Sequence, residues 1–164
     1  MEIYLMQHGS ALPKEQDPEQ GLGPDGKGEI HASGKALKKM GVSFDVIFSS
    51  PKKRSKQTAS IVAEEVGFPP DKIVEADKVK AMTSPEETLA IIENYSGDQK
   101  ILIAGHLPSI AEVASFLLTK GSKATIAFER GGCCRIDIED IHTHAGQLKW
   151  YLTPKQLELI ASCM

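Results

Sequence analysis

No apolar run in the 164 residues approaches the roughly 20 that a bilayer-spanning helix needs. The opening Met1-Glu2-Ile3-Tyr4-Leu5-Met6 is acidic and too short for a secretory leader, so a cytoplasmic protein is expected. Cysteine is scarce. Cys133 and Cys134 are adjacent and Cys163 is almost terminal, which excludes a disulfide framework and a C-x-x-C metal knuckle. Reduced thiols are expected, with the adjacent pair divided between the two faces of a strand. There is no excess of one charge either. The 19 Lys+Arg against 22 Asp+Glu leave −3, so no field over the whole chain favours nucleic acid or an anionic membrane. An anion site would have to be local. Internal repeats and low-complexity segments are also missing.

What remains is ordinary globular material: 41% hydrophobic and 25% charged residues, far from the profile of disorder. The length suits one domain with one core over residues 1–164. Short β-type runs at 3–6, 44–48, 101–104, 133–138 and 147–152, with a weaker one at 73–74, alternate with helical stretches. That alternation predicts an α/β fold with a largely parallel sheet. His142-Thr143-His144-Ala145-Gly146 between the last two runs reads as a hairpin turn, which makes the sheet mixed.

Ser50-Pro51 supplies an N-cap and first-turn proline for a helix to residue 66, and Ser84-Pro85-Glu86-Glu87 has the capping-box pattern. Ile110, Val113, Ala114, Leu117 and Leu118 follow the i, i+3, i+4, i+7, i+8 series of a half-buried helix ended by Gly121. Further helices are expected at 25–40, before Gly41, and after Pro154.

In open α/β sheets the ligand crevice lies beyond the carboxyl ends of the parallel strands. Three such ends carry unusual groups: Gln7-His8-Gly9, then Ser49-Ser50-Pro51-Lys52-Lys53-Arg54, then Gly105-His106-Leu107-Pro108. Two imidazoles and a guanidinium near helix N-termini suit a tetrahedral anion, because arginine grips phosphate bidentately and helix ends add N–H groups and positive dipole. A neutral imidazole can attack phosphorus.

These segments, read as Leu5-Met6-Gln7-His8-Gly9-Ser10-Ala11, Ser49-Ser50-Pro51-Lys52-Lys53-Arg54-Ser55-Lys56-Gln57-Thr58-Ala59 and Gly105-His106-Leu107-Pro108, resemble the histidine phosphatase superfamily (phosphoglycerate mutase-like). Within it they are most similar to the small SixA-type phosphohistidine phosphatases, whose closing segment also looks like Trp150-Tyr151-Leu152-Thr153-Pro154. The resemblance implies a three-layer α/β/α sandwich and a cofactor-independent hydrolase without a metal. It implies that His8 is the nucleophile that becomes phosphorylated, that Arg54 grips the phosphate, and that His106 stabilises the transferring group. It also implies an open site, which fits phosphate on a protein, phosphohistidine above all, better than a small phosphomonoester.

Two positions depart from the family pattern. Its signature is Arg-His-Gly, and Gln7 stands where that arginine belongs. A neutral amide removes one positive charge and the fork geometry, and loss of one strong oxyanion donor costs on the order of 10²–10³ in rate. Gly23, in Leu22-Gly23-Pro24-Asp25-Gly26, stands where the family has Thr or Ser. The general acid of larger relatives has only Asp77 and Glu86 as candidates, by position alone. Two readings stay open: a phosphatase working through phospho-His8, or a weakened or inactive member that binds phosphate or a phosphoprotein.

Other motifs carry blander meanings. Gly21-Leu22-Gly23-Pro24-Asp25-Gly26 matches G-x-G-x-x-G, but no strand precedes it, as a dinucleotide loop requires. His142 and His144 lack a third metal ligand, and the lysines around Arg54 read as a solvated helix face.

Overall fold

Alternation along β1 (Glu2–Gln7) sets up two apolar layers: Ile3 and Leu5 face one side, Tyr4 and Met6 the other, and all four are buried. The computed structural model, which describes residues 1–164, continues this strand into a six-stranded sheet. The other strands are β2 (Val46–Ser49), β3 (Val74–Glu75), β4 (Lys100–Gly105), β5 (Cys133–Asp137) and β6 (Gln147–Leu152). Their spatial order is β3-β2-β4-β1-β5-β6. The first four strands run parallel, whereas β5 pairs antiparallel with β1 and β6 with β5, so the sheet is mixed and mostly parallel, as expected.

Helices cover both faces. On the Tyr4 side, α1 (Pro24–Lys39), α2 (Lys53–Val66) and α5 (Pro154–Ser162) bury Ile30, Leu37, Val62 and Leu157. On the Ile3 side, α3 (Pro85–Leu89) and α4 (Ser109–Leu118) bury Leu89, Val113 and Leu117. The result is a three-layer α/β/α sandwich. Cys133 and Cys134 are free thiols divided between the two layers, and burial pushes the Cys134 thiol up to about 12.

The capping box at Ser84 and Glu87 forms as the sequence predicts, and α5 opens with a second one between Thr153 and Gln156. Two boundaries move. α4 stops at Leu118, before Gly121, because Thr119 turns extended and its hydroxyl bonds the Ser115 and Ser122 carbonyls. α2 begins at Lys53 rather than just after Ser50, and Lys52 caps it without a side-chain bond. His142 is exposed in the hairpin turn, while the His144 ring packs 4.3 Å from Phe116.

The N-terminal turn of α1 presses on the loop after β1. A Cβ at Gly26 would lie 2.0 Å from the Ser10 carbonyl oxygen, whereas one at Gly28 would meet nothing within 4 Å. Gly26→Ala is therefore expected to cost about 1–3 kcal/mol through overpacking. Gly28→Ala should gain about 0.5–1 kcal/mol by restricting the unfolded chain. Urea unfolding of both variants checks this, and equal effects would contradict the close approach.

Candidate active site

The parallel register of β1 on β4 sets Gln7 opposite Gly105, and His8 N donates to the Gly105 carbonyl at 3.1 Å. The residues that follow, His8 and His106, therefore stand side by side, ring centroids 5.0 Å apart. Both are buried, at 9% and 3% exposure. His8 Nδ1 lies 2.7 Å from the Gly9 carbonyl oxygen, which can only accept. The proton thus sits on Nδ1 and the lone pair on Nε2. Arg54, in the first turn of α2, donates to that Nε2 from its Nε at 3.2 Å. Thr58, one turn further on, accepts from Gly9 N at 3.1 Å and donates to the Arg54 carbonyl at 2.8 Å, tying the strand-end loop to the helix.

His106 Nε2 lies 2.5 Å from Ser50 Oγ, and His106 Nδ1 is buried without a partner. Ser50 is thus not the cap of α2; it holds the imidazole, while also accepting from Lys52 N at 3.3 Å. Gln7, the last residue of β1, is buried, with Oε1 unpartnered.

Every neighbouring charge that the two imidazoles feel is positive. Burial first, then Arg54 and Arg130, lowers the His8 pKa, against an opposing pull from the Gly9 carbonyl. Burial, then His8, Arg54 and Lys52, brings His106 down to about 3. Burial and Arg130 lower Arg54 as well. No carboxylate hydrogen-bonds either ring or Arg54. Two neutral imidazoles among uncompensated cations can accommodate an anion, and the unprotonated His8 Nε2, which here accepts from Arg54 Nε, is chemically able to attack one.

The structure brings His8, Arg54 and His106 together, with Gln7 adjoining His8 along the chain. Asp77 and Glu86 are both exposed, Asp77 pairs with Lys80 at 2.7 Å, and neither bonds the imidazoles or Arg54. The sequence reading missed Ser50 as a histidine partner, Thr58, and Arg130. Arg130 precedes Gly131-Gly132 at the entry to β5, and the β1–β5 antiparallel pairing carries that entry back to the end of β1.

Neutral buried imidazoles carry a stability consequence. The unfolded chain protonates them near pH 6.5, whereas folded His106 takes a proton only near 3. Stability is then complete above 6.5 and falls as pH drops toward 3. Unfolding titrations should show His106→Asn losing less stability than the natural chain between pH 6.5 and 4.5. Parallel pH curves would contradict the buried neutral imidazole.

Comparison with known proteins agrees with this geometry. A family model, the histidine phosphatase superfamily (branch 1), matches residues 3–78. An uncharacterized protein of Picosynechococcus sp. is 30% identical over 119 residues, covering 70% of this chain and 71% of that protein. The structure of the protein histidine phosphatase SixA complexed with tungstate superposes with a TM-score of 0.83 at 20% identity, over 96% of this chain and 99% of that one. A putative phosphohistidine phosphatase SixA from Agrobacterium tumefaciens gives 0.73 at 21% identity, over 93% and 98%. A putative alpha-ribazole-5'-P phosphatase from Escherichia coli gives 0.71 at 15% identity, over 94% and 98%, so the fold is shared beyond the SixA type. With its two histidines and Arg54 at the ends of adjacent parallel strands, the chain belongs to the histidine phosphatase superfamily.

Proposed function

We propose that this chain is a phosphohistidine phosphatase that works through a phospho-His8 intermediate. The observation that carries the reading is His8 Nε2, unprotonated, with Arg54 Nε 3.2 Å away and the His106 ring 5.0 Å away. In the first step Nε2 attacks phosphorus, an N–P bond forms, and the bond to the leaving group breaks. In the second, water attacks the phosphohistidine, the N–P bond breaks, and inorganic phosphate departs with the water oxygen. Arg54 and a His106 that gains a proton beside the anion supply charge where it develops on the phosphoryl oxygens.

The leaving group follows from what the site lacks. An alkyl alcohol leaves poorly without an acid, and Asp77 and Glu86 form no bond to the imidazoles or Arg54. The imidazole of a phosphohistidine is a far better leaving group, since protonation of its free ring nitrogen by solvent lets it depart as a neutral imidazole when the N–P bond breaks. A groove of about 950 Å³ lined by Lys14, Lys27, Lys52, Lys53 and Lys56 shares Arg54 with the site. Lys53 and Lys56 are paired with carboxylates, but Lys14, Lys27 and Lys52 are not. Such a groove supports phosphate borne on a protein with an acidic surface over a small phosphomonoester.

The buried, uncharged Gln7 favours a second reading, a member that binds phosphate or a phosphoprotein without turnover. Assays in EDTA of a phosphohistidine-bearing carrier protein and of an aryl phosphate separate the two. Turnover is expected for both, with the carrier protein preferred in kcat/KM, and His8→Ala should lower both rates at least about 10³-fold. Binding of vanadate by calorimetry with no turnover would establish the second reading. Turnover undiminished in His8→Ala would overturn the proposed nucleophile.

A further inference from the structure

The peptide unit that joins Gln7 to His8 is held from both sides. Its N–H, on His8, donates to Gly105 of β4, and its carbonyl, on Gln7, accepts from Gly131 N at 3.0 Å. Gln7 N in turn donates to the Gly132 carbonyl at 3.3 Å. The Glu129–Gly132 turn is therefore clasped to the residue before the proposed nucleophile. The turn itself is tight: Gly132 N donates to the Glu129 carbonyl at 2.8 Å, and Gly131 takes φ +80, which favours glycine. Ser33 of α1 donates to the Gly131 carbonyl at 2.9 Å, and Glu129 N donates to the Tyr151 hydroxyl at 2.8 Å. A Cβ on Gly132 would lie 2.6 Å from that hydroxyl.

Arg130 is the one long side chain between these anchors. It is exposed, forms no ion pair, and makes no side-chain hydrogen bond. The backbone after it is clasped to Gln7, which sets the start of its side chain beside the strand end that carries His8. We propose that Arg130 contacts the phosphoryl oxygens of the substrate and supplies the second guanidinium that Gln7 does not. Its charge is already felt by His8 and by Arg54, which places it within electrostatic range of both. Two unpaired guanidiniums repel one another until a dianion sits between them, and that relief is interaction gained only with the phosphoryl group bound.

This inference rests on the phosphoryl-transfer reading of the site, and a double-mutant cycle tests it separately. Arg130→Ala, shown to be folded by circular dichroism, should lower kcat/KM for the phosphohistidine carrier protein by about 10²-fold and weaken vanadate binding about tenfold. Arg130→Lys, which keeps charge but loses the fork, should fall between. Gln7→Arg should recover at least tenfold in the Arg130→Ala background while adding less than that to the natural chain. If Arg130→Ala stays within threefold of the natural chain while His8→Ala abolishes turnover, Arg130 is not a phosphate ligand and the phosphatase reading survives. Equal gains from Gln7→Arg in both backgrounds, or no recovery, would overturn the claim that the two positions share one task. Should the natural chain bind vanadate without turnover, the phosphatase reading fails, and vanadate affinity alone decides the role of Arg130.

Discussion

The pairing of β1 with β4 is the constraint on which the site depends. Because the strands are parallel and Gln7 stands opposite Gly105, their carboxyl ends finish at one level and the next residue of each is a histidine. A slip of one residue would move every side chain of β1 to the other face and send Ile3 and Leu5 out of their core. Burial of the strand therefore enforces the register, and the register enforces the spacing of the imidazoles.

Backbone groups complete what the register starts. The Gly9 carbonyl puts the His8 proton on Nδ1, and the hydrogen bonds to Gly105 and Gly131 immobilise the peptide just before the ring. The close approach of Gly26 to Ser10 packs the loop that follows β1 against the start of α1. An orientation made from main-chain contacts costs little reorganisation when a ligand arrives. Charge is arranged in the same spirit. The chain as a whole is slightly acidic, yet the cations that His8 and His106 feel have no carboxylate bonded to them. The imidazoles stay neutral because they are buried and because their neighbours are cations, and an entering dianion reverses the second cause while leaving the first.

Much of this was legible in the sequence. The apolar runs ending in Gln7-His8-Gly9, Ser49-Ser50 and Gly105-His106 marked the parallel strands and the three groups at their ends, since strand burial and helix starts leave strong local signals. Ser50 was misread because a serine before a proline has the same local pattern whether it caps a helix or holds a histidine 56 residues away. Arg130 was not seen because its place depends on which strand β5 pairs with, a non-local fact that the local pattern of Glu129-Arg130-Gly131-Gly132 does not encode. Asp77 and Glu86 were candidates by position only, and an acidic side chain on a surface turn or helix start is chosen as readily for solvation and capping as for chemistry.

The central claim is that His8 Nε2 takes the phosphoryl group, and trapping that intermediate tests it most directly. Rapid acid-free quenching during turnover of a ³²P-labelled phosphohistidine carrier protein, followed by peptide mapping and ³¹P NMR, locates the label. The account predicts acid-labile, base-stable phosphate on Nε2 of His8 and none on His106, because Nδ1 of His8 is committed to the Gly9 carbonyl. Turnover with label on another residue, or with none on His8 at any quench time, would contradict it.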